Sequence, residues 1–397
     1  MKRLGWILLA LTVPAWGART ITVGQLEDML RSMAQEKKSD AEVATALKQV
    51  ELSQELTRGT MNSLVSYVPG PLSTEQIYVL EARSADLIPP ERDLPANPAP
   101  DAAGQKAILD KAAAYVTQTY DQLPALTATK TTLRFQDNME ALAGSSGLQG
   151  GAHDVVTGTS FSDPAAYVHY INSTESHVTS THGAERLPAE KTKIPWGANK
   201  MIALEEPDPS LGAVWREAQA TGTLAWLRWE RIYGKPAAVF AFSVPARTSH
   251  LAVNICCFPD VKQTGVANFY TATTAATMGG GASGGGGVSG NFQTSTNWLN
   301  YKATMPYHGE LFVDPDSGIV LRMIVEVEPK PTDVVHRQNL RVDYAPVSVG
   351  GRTVMVPAKT FVNTEVVPNG DSGAARYSIR CTLFTSEYKD YAPAGTK

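Results

Sequence analysis

One ten-residue run constrains this chain more than any other. In Ile319-Val320-Leu321-Arg322-Met323-Ile324-Val325-Glu326-Val327-Glu328 every odd position is apolar, while Arg322, Glu326 and Glu328 sit at even positions. Successive strand side chains point to opposite faces, so the run predicts a strand with one face on a core and one in water. That is the mark of an antiparallel sheet. Ahead of it, Glu310-Leu311-Phe312-Val313 and Asp314-Pro315-Asp316-Ser317-Gly318 read as a partner strand and a hairpin loop. Further strands are expected at 127–136, 223–233, 238–244, 338–344, 352–356, 360–367 and 375–386, with tight turns at Gly350-Gly351 and Asn369-Gly370.

The N-terminal quarter has a different period. Leu26, Met29, Leu30 and Met33 recur at helical spacing, and Ser39 with Glu42 forms a capping box opening a second helix with Val43, Leu47 and Val50. A third, less regular helix is expected at 53–68, closed by Pro69-Gly70-Pro71, and Ser73 with Gln76 opens a fourth carrying Ile77 and Leu80. Pro89, Pro90, Pro95, Pro98 and Pro100 then mark a linker stiffened toward polyproline II. Beyond it, 105–122 reads as one helix with Ile108, Ala112, Tyr115, Val116 and Tyr120 near one side.

At the start, Lys2 and Arg3 precede the apolar stretch Leu4–Val13, which is too short for a bilayer span, and Ala15 and Gly17 stand at −3 and −1 of a cleavage site. A signal peptide at 1–17 is therefore expected, with no transmembrane anchor after its removal and a periplasmic or secreted location. The remaining division is a helical domain at 18–88, a Pro-rich linker at 89–104 and a β-rich domain at 105–397 with a Gly-rich insertion at 278–290. Lys plus Arg number 35 against 39 Asp plus Glu, with no long basic run, so nucleic acid is not an expected partner. An oxidising compartment permits a disulfide. Cys257 shares a strand face with Val253 and Ile255, and Cys381 shares one with Leu383, so a Cys257–Cys381 bridge is expected with Cys256 free; three unpaired thiols are the alternative.

No constellation for catalysis emerges. Ser283 sits in Gly281-Ala282-Ser283-Gly284-Gly285, a G-x-S-x-G match, but neither a strand before it nor a helix after it lifts the serine out. His169, His177 and His182 share one polar region without metal-ligand spacing, and Asp314, Asp316 and Gly318 lack the remaining ligands of a calcium loop. Catalytic residues, metals and cofactors are accordingly expected to be none. The aromatics are more informative. Trp226 and Trp229 are three apart, so a regular strand puts them on opposite faces, and one of them needs cover from a second layer, a helix or a ligand. Phe240 and Phe242 follow on the next strand.

Helix 105–122, the Asp314–Gly318 hairpin and the segment 342–357, in which Val342-Asp343-Tyr344-Ala345-Pro346 leads to a glycine turn and a strand ending at Pro357, resemble the lipoprotein-carrier (LolA-like) superfamily over residues 105–392. The resemblance implies an α+β fold: a small N-terminal helical array, then a curved antiparallel half-barrel with a covering helix whose inner face receives acyl chains. The function expected is a non-enzymatic protein binding an apolar ligand, a lipid or lipoprotein acyl chain, or a lipidated partner, with Trp226, Trp229, Phe240 and Phe242 as lining groups. The alternative is a structural or protein-interaction component of the cell envelope without a small-molecule ligand, docking an envelope protein through residues 20–88.

Overall fold

The computed structural model describes residues 19–137, 168–186, 210–259, 298–349, 351–366 and 380–395. The expected signal peptide, the Gly-rich insertion with Ser283 and the Asn369-Gly370 turn lie outside them.

The chain opens with a helical module. Strand β1 (Arg19–Ile21) leads into α1 (Val23–Gln35), α2 (Asp40–Lys48) follows, then β2 (Val50–Leu52), α3 (Arg58–Leu64) and α4 (Pro71–Arg83). The Ser39–Glu42 capping box closes on α2 as its spacing predicts, and a second one, Thr22 with Gln25, caps α1. Helix α4 starts two residues before Ser73. Pro71 takes its first position, where a missing N–H costs nothing, and Ser73 donates to the Asp40 carboxylate on α2. Leu26, Leu30, Val43, Leu47, Leu56, Met61, Leu64, Ile77 and Leu80 make a core of the module's own. The parallel β1–β2 pair has no counterpart in the sequence pattern, because three-residue strands carry too little periodicity to register.

Among the described residues ten strands form one open antiparallel sheet, and the fold is α+β. Its order is β5 (Ala184–Arg186), β4 (His169–Thr181), β3 (Leu126–Gln136), β14 (Arg380–Pro393), β13 (Arg352–Val366), β12 (Val335–Val349), β11 (Val320–Val327), β10 (Tyr307–Val313), β7 (Lys235–Val244) and β6 (Ala225–Ile232). The segments 352–356 and 360–367, expected as two strands, belong to one, β13. A register shift opposite Asp343 and Tyr344 leaves Ala358 over, which broke the apparent alternation. Strand β4 was missed because its thirteen residues are mostly polar or exposed.

One face of the sheet is covered by helices. Helix α5 (Ala102–Tyr115) begins inside the expected linker, capped by Asp101, and continues through a π turn at Val116–Tyr120. With α6 (Leu211–Thr221) and the antiparallel pair β8 (Ala252–Pro259) and β9 (Trp298–Thr304), it buries Ile108, Val116, Val214, Trp215, Val253 and Ile255 against Phe240, Met323, Val325, Leu340 and Val342. The β10–β11 loop packs against α5. Gly318 has φ +75°, and a Cβ there would come 2.4 Å from the Lys111 carbonyl carbon, so both dihedral and space demand glycine.

The helical module covers part of the opposite face. Val79, Ala82 and Ala85 pack on Phe361, Cys381, Leu383 and Phe135. This corrects the expectation of a wet second face on β11: Arg322 is only 8% exposed, although Glu328 does reach solvent. The alternation is real, but cover supplied by a segment over 230 residues upstream leaves no trace in it.

Candidate functional site

Strand β6 does not alternate regularly. Trp226 pairs with Phe240 and Arg228 with Val239, so Leu227 is an extra residue, a bulge at the edge of the sheet. The bulge turns Trp226 to the same side as Trp229, correcting the expected opposite facing. Their rings lie 5.0 Å apart edge to face, and Trp226 meets Phe240 at 5.8 Å. Phe242 packs edge-on to Tyr307 at 6.0 Å. The Trp229 indole N–H donates to the Pro98 carbonyl at 2.8 Å, so the linker is fixed to the β6 edge. The four aromatics named as lining groups are thus together on the helix-covered face, but their neighbours are the protein's own side chains: Phe240 and Phe242 are buried in its core, and both tryptophans pack against it.

Open space lies at the other end of that face, where β3, β4, β13 and β14 meet the end of α5 and the start of α6. The crevice holds about 40 Å³ of water-accessible space, room for roughly three waters. Leu126, Ala128, Val178 and Val342 supply an apolar floor, and Tyr120, Tyr344, Tyr388 and Tyr391 supply rings. Most polar atoms around it are used. The Tyr120 hydroxyl donates to the Gly183 carbonyl at 3.1 Å, and Tyr391 to that of Pro357 at 2.7 Å. Lys130 pairs with Glu185 at 3.2 Å, Tyr388 donates to the same carboxylate at 2.9 Å, and Lys130 Nζ sits 5.2 Å above the Tyr388 ring. Ser210 caps α6 by accepting from Ala213 N–H. Thr360 is different: 5% exposed, it is one of the residues lining the crevice, and its buried hydroxyl has no hydrogen-bond partner among the described residues. These residues come from segments up to 271 positions apart, so no spacing in the chain could have gathered them.

The other face of the sheet carries a buried ionic cluster. Arg322 on β11 and Arg341 on β12 share Asp343, at 2.6 and 2.9 Å. Glu55, from the loop after β2, inserts between the two guanidiniums, 2.5 Å from Arg341 and 3.5 Å from Arg322. Arg322 also reaches Glu230 at 3.2 Å, and Arg228 bridges Glu230 and Glu310 at 2.8 and 2.7 Å. Burial, reinforced by Glu55 and opposed by Arg322, pushes the Glu230 carboxyl up to about 6. Burial disfavours the Asp343 carboxylate too, yet its two guanidiniums hold it well below the usual range. Lys359 meets Glu81 of α4 at 3.2 Å, a further ionic contact to the module.

Cys381 is a buried free thiol, which corrects the expected Cys257–Cys381 bridge. It packs with Val79 and Phe361 on the module's side of the sheet. Strand β8, which carries Cys257, instead buries Val253 and Ile255 on the helix side; the Cys257 side chain lies outside the described residues. The alternation predicts that both cysteines face inward, but this sheet buries two faces. Among the described residues no group of three or more His, Cys, Asp or Glu is placed to hold a metal, and no helix is long and apolar enough to cross a membrane. No protein-family model, curated protein or solved structure matches the chain.

Proposed function

We propose that this is an exported, non-enzymatic binding protein that takes an apolar or amphipathic ligand in the tyrosine-lined crevice at the β3–β4–β13–β14 end of the sheet. The observation that supports this is the conjunction, at one spot, of an apolar floor, four tyrosine rings and a buried hydroxyl without a partner among the described residues. The LolA-like resemblance over residues 105–392 points the same way, since a sheet lidded by helices is its receiving surface. The binding place moves, however, from the filled tryptophan end to the crevice. Its volume accommodates one end of a ligand, and burial against Leu126, Ala128, Val178 and Val342 would contribute about 0.8 kcal/mol per methylene. Export rests on the charged and apolar character of residues 2–13; N-terminal sequencing of the exported chain is expected to begin at Ala18.

The test of binding is native mass spectrometry of freshly purified protein together with titration of the uncharged dye N-phenyl-1-naphthylamine. A co-purifying small mass and saturable fluorescence, abolished by filling the crevice with Val178→Trp, are expected. Absence of both would remove the ligand and leave the envelope-interaction role of residues 20–88 as the better description.

A further inference from the structure

We infer that the crevice selects ligands with an uncharged polar end, an alcohol or an ester, and that Thr360 is the residue that receives that end; this rests on the ligand-binding role proposed above. A buried hydroxyl without a hydrogen bond is a standing cost to the folded protein. Valine has the same shape and no hydroxyl, so nothing in the packing of β13 demands threonine at this position. The missing partner is a group that the described protein atoms do not provide, and the crevice is where it would enter.

The charge of that partner follows from what already surrounds the space. The Lys130 ammonium and the Glu185 carboxylate are paired with each other, and Tyr388 donates to Glu185 as well. Among the described residues the site therefore carries no net charge. A ligand carboxylate seated here would leave water to lie beside Glu185 and would have to compete with it for Lys130; a ligand ammonium would compete with Lys130 for Glu185. Either exchange strips an ion of solvent without a free counter-charge, which disfavours ionised ligands strongly. A neutral hydroxyl or ester oxygen meets Thr360 without disturbing the pair.

The experiment compares octan-1-ol with octanoate at pH 8, each displacing N-phenyl-1-naphthylamine from wild type, Thr360→Val and Thr360→Ser. Octan-1-ol is expected to bind at least ten-fold more tightly than octanoate. Thr360→Val should weaken octan-1-ol about three- to ten-fold, the worth of one hydrogen bond, with Thr360→Ser restoring most of it. The unliganded Thr360→Val protein should be as stable as wild type or more so, a result a merely structural threonine would not give. Equal binding of the two probes, or undiminished binding to a folded Thr360→Val, overturns the selectivity while leaving a ligand site standing. Binding of neither probe and no dye uptake overturns the ligand-binding role itself.

Discussion

The docking of the helical module can be tested through one carboxylate. Glu55 is 3% exposed and reaches two guanidiniums of the sheet, and its backbone N–H donates to the Ile88 carbonyl. Around Arg322 and Arg341 stand three acids, Glu55, Glu230 and Asp343. Glu55→Gln keeps the shape and one acceptor but removes a charge. Each charge-assisted hydrogen bond it weakens is worth about 1.5–3 kcal/mol. Against this, repulsion between Glu55 and Glu230 is relieved and the remaining acids match the two arginines. The expected net loss is about 2 kcal/mol, whereas Glu55→Ala, which leaves Arg341 short of an acceptor, moves toward the roughly 3–5 kcal/mol of a broken buried pair. Hydrogen exchange resolves where the loss falls: amides of α4 and β2 should exchange faster, while β12 and β13 away from Glu55 keep their protection. Exchange in α4 unchanged to within about 0.5 kcal/mol would refute the idea that this ionic insertion holds the module to the sheet.

Other outcomes follow from the same geometry. Glu230 has a folded pKa of about 6 against an ordinary 4.5, so the folded state holds its proton more tightly than the unfolded chain does. Its contribution is full below about pH 4.5 and lost as pH rises through 6; relative to Glu230→Gln, wild type should lose about 2 kcal/mol between pH 4 and pH 8 in urea titrations. In Glu55→Gln this pH dependence should shrink. Gly318→Ala forces a Cβ into the backbone of α5 at a positive φ, and calorimetry should register a loss of at least about 2 kcal/mol. Burial pushes the Cys381 thiol up to about 12, so a thiol reagent at pH 8 should label it only after denaturation, and unreduced peptide maps should show no disulfide at this position.

Local chemistry was legible wherever a residue's role depends on near neighbours in the chain. The capping box of α2, the hairpin at Asp314–Gly318 and the apolar stripe Met323, Val325 and Val327 needed nothing beyond a few adjacent positions. Failures came where cover arrives from afar. Arg322 carries the charge of a surface residue but is buried among Asp343, Glu230 and Glu55, the last two reaching it from far along the chain. Cys381 lies in a strand apolar on both sides, Leu383 facing the module and Phe384 the helices, so facing inward did not say which interior. Strand β4 is mostly polar or exposed, and its place follows from pairing with β3 along eleven positions. The crevice is the extreme case: Tyr120, Val178, Thr360 and Tyr388 are ordinary residues until topology collects them.

The surplus residue Leu227 has a consequence beyond its own strand. Delete it, and the two indoles separate to opposite sides of the outermost ribbon, so that only one can remain beside Phe240. Trp229 is also the hook on which Pro98 hangs, and the segment it catches carries the chain from the module's side of the sheet round to α5. A one-residue miscount on a peripheral strand would therefore be felt as a loosened tether between two bodies, at a distance from any residue that had changed.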